Sequence, residues 1–542
     1  MKSYSTPRVT CSAVLLAAMA AASSASAQTV TKANNTNSLQ FGTSYVGGVV
    51  PTASDTLIVD NTLTAAGTTA NLGANVSVLG INFTAAPVSN VARAFTIGTG
   101  GGTLSIGSGG ITKAANTSTF LIQSPIALTA NQTWTINSVT GTGTGNFAIQ
   151  SNITDGSGSF TANIGGTGRI DITPSGAIAF GNGVALNVAT VVVNNSAAIV
   201  TLGNASQTDS FQIIKGRALG TTLGNFGVAG SYGDGGTSTT IILGGGTAGD
   251  HGFLEYTGAS ASSNRTFNFD RRTTGSELRN TNSASTLTLT GNIQNSQGTS
   301  ASINSAYSFG GVGNITLTGT EQLKDNTDAG FSTTLNKNGT GTLTITGANA
   351  NTSTTAGTFQ GATNVNAGLL VVSGTGSINS TSGITVADGA GFIYDSSTAL
   401  TKSVTLASGA RFGGDGVINN ISIGSGVRFV FDPLKTLDVT GSATFANSFG
   451  VDDLVNADGS SISWALINAG TYTLVANGGS FSNIENFGLG NAFDIGGGRL
   501  AYFHTGSLQL VVSAIPEPSS FAALAGLGAV ASAGLRRRRR AA

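Results

Sequence analysis

The sequence predicts an all-β chain wound as a parallel β-solenoid, on three observations. First, short runs alternate an apolar residue with threonine and end at glycine. They are Thr286-Leu-Thr-Leu-Thr290 before Gly291, Asn314-Ile-Thr-Leu-Thr318 before Gly319, and Thr342-Leu-Thr-Ile-Thr346 before Gly347. A period of two belongs to a half-buried strand, not to a helix. Second, Leu287, Ile315 and Leu343 recur at a step of 28 residues, and a constant step of that size marks a repeat architecture. Third, another series follows at shorter steps. Ile384-Thr-Val-Ala-Asp-Gly-Ala-Gly-Phe392, Val404-Thr-Leu-Ala-Ser-Gly-Ala-Arg-Phe412 and Ile421-Ser-Ile-Gly-Ser-Gly-Val-Arg-Phe429 match one another, with Leu437-Asp-Val-Thr-Gly-Ser-Ala-Thr-Phe445 as a weaker fourth copy. Two short strands with a glycine turn between them make about one coil, and successive coils pair at roughly 4.8 Å. Apolar positions point inward, Thr and Ser outward, and Gly supplies positive φ at corners.

Composition agrees with a folded but weakly charged body. Charged residues are 9% of the chain, against about 25% in ordinary domains. The 79 glycines and 8 prolines in 542 residues stay below the roughly 25–30% of low-complexity disorder. Hydrophobic residues, at 39%, leave enough apolar surface to bury, and the net charge is zero. Outside the terminal arginines there is no basic patch, so nucleic acid is not an expected partner.

Residues 1–27 read as a secretory signal peptide. Lys2 and Arg8 charge its start, Val9 to Ala22 is apolar, and Ala25-Ser26-Ala27 is a small-residue cleavage site with Gln28 as the new N-terminus. Cys11, the one cysteine, lies inside this segment, so the mature chain is expected to have no thiol or disulfide chemistry. Residues 28–90 are read as an N-terminal cap with Asp55-Thr-Leu-Ile-Val-Asp60 as its leading strand, 91–445 as the solenoid, and 446–513 as a C-terminal cap. That last region concentrates Trp464, Tyr472, Phe487, Phe493, Tyr502 and Phe503. An open solenoid end exposes core and unpaired edges, so a distinct cap is expected there.

The stretch 515–540 has three physically different parts. Pro516 and Pro518 hold the backbone extended around Glu517, exposing it to a protease. Phe521 to Leu535 is apolar, about fifteen residues long and weakened as a helix by Gly526, Gly528 and Gly534. It is short against the ~20 residues of a stable span, which suits a transient transmembrane helix. Arg536, Arg537, Arg538, Arg539 and Arg540 then stay cytoplasmic under the positive-inside rule.

Pro516-Glu517-Pro518, the helix-forming run and the arginine cluster together resemble the PEP-CTERM sorting signal. That resemblance implies recognition in the inner membrane by an exosortase-type protease, processing near the Pro-Glu-Pro, and delivery to the cell surface or exopolysaccharide matrix. Asn338-Gly-Thr-Gly-Thr-Leu-Thr-Ile-Thr-Gly-Ala-Asn349 with Asn366-Ala-Gly-Leu-Leu370 is similar to an autotransporter-associated β-strand repeat. Phe412-Gly-Gly-Asp-Gly-Val-Ile418 and Leu128-Thr-Ala-Asn-Gln-Thr-Trp134 also fit such passengers. This second resemblance implies a right-handed parallel β-helix over about residues 90–445. The chain departs from true autotransporters, because no array of ~10-residue membrane strands follows residue 445.

No catalytic or metal-binding residues are expected, and no cofactor. Asp452, Asp453 and Asp458 form the densest acidic group, but neighbours on a strand face opposite sides. Asp250-His251, Glu255, Asp270-Arg271-Arg272, Glu277 and Arg279 form the most charged stretch, read as an insertion loop laced with ion pairs. His251 and His504, the only histidines, make a metal site only if the fold joins them. The expectation is an exported, non-enzymatic surface or biofilm-matrix protein. Its partners are signal peptidase, an exosortase-type protease and exopolysaccharide, with the inner membrane a transient one. The alternatives are a polysaccharide lyase or hydrolase on the same scaffold, or an adhesin.

Overall fold

The computed structural model describes residues 27–515, apart from short internal stretches of which the longest are 86–93, 138–146, 296–304, 324–332 and 348–359. Residues 1–26, Cys11 and Ala25 among them, and the tail from Pro516 onward lie outside the described residues. Among the described residues the chain holds 42 β-strands, four single-turn 3-10 helices and no α-helix.

The winding is visible in one nine-stranded sheet. Its strands follow in chain order: Ala261–Ser263, Thr286–Leu289, Asn314–Leu317, Thr342–Ile345, Leu369–Gly374, Gly391–Ser396, Arg411–Gly413, Arg428–Val430 and Leu454–Val455. Every pairing among them is parallel, and strands of other sheets lie between them in sequence. Parallel neighbours taken in order, each reached by a crossover through another sheet, are what a coil produces. A 25-stranded sheet supplies two further columns, Thr240–Leu243 with Thr266–Phe269 and Ile293–Asn295, and Gly252–Tyr256 with Glu277–Asn280 and Ser305–Gly311.

Register places the alternating residues as the sequence requires. Leu287, Ile315, Leu343, Leu370, Phe392, Phe412, Phe429 and Leu454 stack in one column, rung on rung. All eight are buried. The two 28-residue steps of the sequence are two successive steps of this column. At about 1.5–3 kcal/mol per fully buried large apolar side chain, such columns carry the stability, and one continuous core runs from Val30 to Val512. In the N-terminal half, Phe95, Phe120 and Phe147 form a similar ladder, with ring centroids 6.0 and 5.5 Å apart.

Strands between Thr29 and Phe83 supply the first rungs of the solenoid. Thr29–Thr31, Thr56–Val59, Val76–Phe83 and Leu104–Lys113 pair in parallel. The strand Gly67–Asn71 was illegible because it turns only Thr68 and Ala70 inward, too small to make an apolar rhythm. The outer edge of Thr29–Thr31 is met by a returning loop, where Val46 N–H donates to the Thr31 carbonyl at 2.9 Å.

The fourth copy of the short series is out of step with the other three. Ile384–Val386 pairs with Val404–Leu406, and Phe392, Phe412 and Phe429 share a column. The next turn instead sets Leu437–Val439 beside Val417–Ile418, and Ala443–Phe445 beside Ile421–Ile423. Its Phe445 therefore leaves the phenylalanine column, and Leu454 takes that place.

Antiparallel ladders between strands, among the described residues, are confined to residues 470–514. Gly470–Ala476, Leu508–Ala514, Arg499–His504 and Phe493–Gly496 form them. The first of these also pairs in parallel with Leu437–Val439, so the sheet grows directly from the last solenoid turn. Phe431 packs on Trp464 and Tyr472, with centroids 6.2 and 5.7 Å away.

Candidate functional site

The residues beside the two expected processing regions are exposed and adjoin ordered strands. Ala27 and Gln28 are exposed, and Gln28 N–H donates to Asp55 Oδ1 at 3.1 Å. At the other end, Leu508–Ala514 lies between Gly470–Ala476 and Arg499–His504. Ile515 N–H donates to the Gly498 carbonyl at 2.8 Å. Pro516, Glu517, Pro518 and Arg536 to Arg540 follow, outside the described residues.

The charged stretch is a ladder on strands, where the sequence had implied a loop. Ser210–Gly220, Gly252–Tyr256 and Glu277–Asn280 are successive rungs. Their inward residues Ala218, Leu254 and Leu278 are buried. On the outward side, Arg217 clasps Glu255 through two bonds of 2.8 and 2.6 Å. Arg279 bonds Glu255 at 3.1 Å and Glu277 at 2.7 Å, and lies 4.3 Å from the Phe253 ring centroid. Lys215 pairs with Asp250 at 3.1 Å. The acids are inside and the bases outside: the Glu255 side chain is 2% exposed and that of Arg217 42%. Glu255 holds the Arg217 guanidinium above its ordinary value, chiefly through their hydrogen bonds. Charge-assisted bidentate contacts of this kind fix geometry, so the arrangement bolts three turns together. Asp270 follows the strand Thr266–Phe269, its N–H donating to the Leu243 carbonyl at 2.8 Å, and Arg271 and Arg272 lie outside the described residues.

The acidic group near 452 is not on a strand. Val451–Asp453 is a 3-10 turn, and the Asp453 carboxylate accepts the Gly450 N–H at 2.9 Å. Burial, first, raises the Asp453 carboxyl. Asp458 accepts both the hydroxyl and the N–H of Ser460, at 2.6 and 2.9 Å, and those bonds hold its carboxyl low. His251 is mid-solenoid, its Nδ1 buried without a hydrogen-bond partner, whereas His504 is exposed on a strand of the C-terminal sheet. The fold does not join them. Among the described residues no group of three or more His, Cys, Asp or Glu is placed to hold a metal ion.

Three residues escaped the sequence reading altogether. Lys32, Lys113 and Lys337 are buried at strand ends. Lys113 Nζ donates to the carbonyls of Ala114, Asn116 and Asn137 at 3.2, 3.3 and 3.2 Å. Lys337 Nζ donates to those of Asn338, Gly339 and Ala367 at 2.7, 2.7 and 3.0 Å. Lys32 Nζ donates to the Ala33 and Asn35 carbonyls and to Asn35 Oδ1. Burial pulls each ammonium down to about 8. A signal was present: alternation in Val30-Thr-Lys32, Ile111-Thr-Lys113 and Leu335-Asn-Lys337 turns each lysine inward.

The fold defines a parallel β-solenoid, and a C-terminal segment follows it in the sequence. That segment, residues 514–540, matches the PEP-CTERM protein-sorting motif, as the Pro516-Glu517-Pro518 signature implied. The motif marks the chain for export by a membrane-anchored sorting step, for processing by exosortase-type machinery and for delivery to the surface. No curated protein and no solved structure matches the chain.

Proposed function

We propose that the mature chain is a non-enzymatic structural rod of the cell surface or exopolysaccharide matrix. The supporting observation is the outward face of two of its walls. One presents Ser262, Thr288, Thr316 and Thr344 in a column. The other presents Asn336, Asn364, Thr385 and Thr405. Asn364 donates to Asn336 at 3.0 Å, and Asn366 to Asn338 at 2.9 Å. Such rows offer uncharged donors and acceptors every ~4.8 Å along the rod, a chemistry suited to glycan hydroxyls. The engagement of Asp250, Glu255 and Glu277 by Lys and Arg suits cross-linking of turns better than acid–base work. The similarity of 338–370 to autotransporter-associated repeats supports a passenger-like rod.

The test is expression in a host that carries an exosortase, followed by mass spectrometry of the matrix fraction. The expected product begins at Gln28, lacks residues 519–542 and sediments with the host exopolysaccharide. Substituting Pro516 and Pro518 by Ala should leave uncut chain in the inner membrane. A mature product that never sediments with the polysaccharide would remove the matrix role.

A further inference from the structure

We infer that the C-terminal cap docks on the bilayer surface while the tail is inserted, holding the Pro516-Glu517-Pro518 tripeptide at the interface. The inference rests on the reading of Phe521–Leu535 as a membrane-inserting segment. Leu434 and Leu466 are the most exposed large apolar side chains among the described residues, at 93% and 81%, and Ile515 is 40% exposed. Hydrogen bonds and ring stacking tie together the segments that carry them. Arg499, the antiparallel partner of Ala514, donates its guanidinium to the Trp464 and Ile467 carbonyls, so the Trp464–Leu466 turn is tied to the strand pair from which Ile515 emerges. Leu434 sits in the turn between Phe431, which stacks on Trp464, and Thr436, which donates to the Thr473 carbonyl at 2.8 Å.

A lipid surface is the partner this patch fits, because of where the chain goes next. Only Pro516 to Ser520 separate Ile515 from the apolar run. Those residues span at most about 20 Å even when fully extended. An inserted run therefore holds the cap beside the headgroups. Exposed leucines enter the acyl boundary and a half-buried tryptophan settles at the headgroup level. Two leucines and an isoleucine bind weakly alone, but the tether makes the contact intramolecular.

The experiment uses the full chain in vesicles of phosphatidylethanolamine and phosphatidylglycerol with brominated acyl chains. The chain has two tryptophans; Trp134 is fully buried in the solenoid, which makes it the internal reference. The expected result is quenching of the Trp464 emission, absent in Trp464→Phe. In the double variant Leu434→Glu, Leu466→Glu, quenching is lost although the chain still floats with the vesicles. A floating wild-type chain whose Trp464 is unquenched overturns the proposal, as does a double variant quenched like the wild type. A chain that does not float at all refutes tail insertion, and this proposal with it.

Discussion

Lys113 and Lys337 occupy interior positions that the neighbouring turns fill with hydrocarbon. Lys113 is paired with Phe83 below and Ile136 above, and Lys337 with Phe309 and Val365. Their ammonium groups survive burial because corner carbonyls surround them. Replacing Lys337 by Met keeps the volume but strands three carbonyls, so stability should fall by about 2–4 kcal/mol, read from the urea midpoint. The pH dependence has a definite sign. Each lysine is depressed from 10.5 to about 8 on folding. Between those values the unfolded chain binds more protons, so this contribution grows as pH rises and is lost as pH falls through about 8. Wild type should therefore gain stability from pH 8 toward 10 relative to Lys113→Met. Buried Tyr45, Tyr232 and Tyr394 hydroxyls, raised by burial, act in the opposite sense above about pH 10 and close the window. Alternation alone places these lysines inside. The carbonyls that receive them come partly from another turn, as Asn137 does for Lys113, and no local pattern announces that.

Among elements, corners decide more than strands. Gly339 has φ of 67°, and a Cβ built there lands on the backbone of Gly311 in the preceding turn. Gly389 has a similar φ of 72°, yet a Cβ there meets nothing within 4 Å. Gly389→Ala should cost only the left-handed strain, about 1–2 kcal/mol. Gly339→Ala should cost distinctly more, or abolish folding, and thermal melts of the two variants give the comparison. The charged rungs make a parallel case. Glu255→Ala removes the shared acceptor of Arg217 and Arg279, both of which reach solvent and can rehydrate. The expected loss is about 1–3 kcal/mol, with secretion and processing unchanged. The sequence shows Glu255 and Arg279 in one charged stretch, but not that Arg217, Glu255 and Arg279 are neighbours. They are 38 and 24 residues apart and meet only because each turn places them on adjacent rungs.

At the scale of the whole molecule, stability is built turn on turn, and the ends are where it is exposed. Truncation after Val430 would uncover the Phe429 column and the edge of Arg428–Val430, both now covered by Leu454–Val455. Such a chain should self-associate, detected as a shift to large species in size-exclusion chromatography, whereas the wild type stays in its original peak.

The sequence by itself determined the class of wall, the inward and outward sides of its strands, the 28-residue turn and the sorting tail. Each is a local property: a period of two, a fixed step, a tripeptide ahead of an apolar run and five arginines. Only the tertiary structure decided the remainder. The first rungs begin at Thr29, the fourth short repeat slips from its column, and the charged stretch becomes a ladder. Register between turns depends on loop length and on which side chains fit the rung below. Those are relations between residues tens of positions apart, settled only when the coil closes.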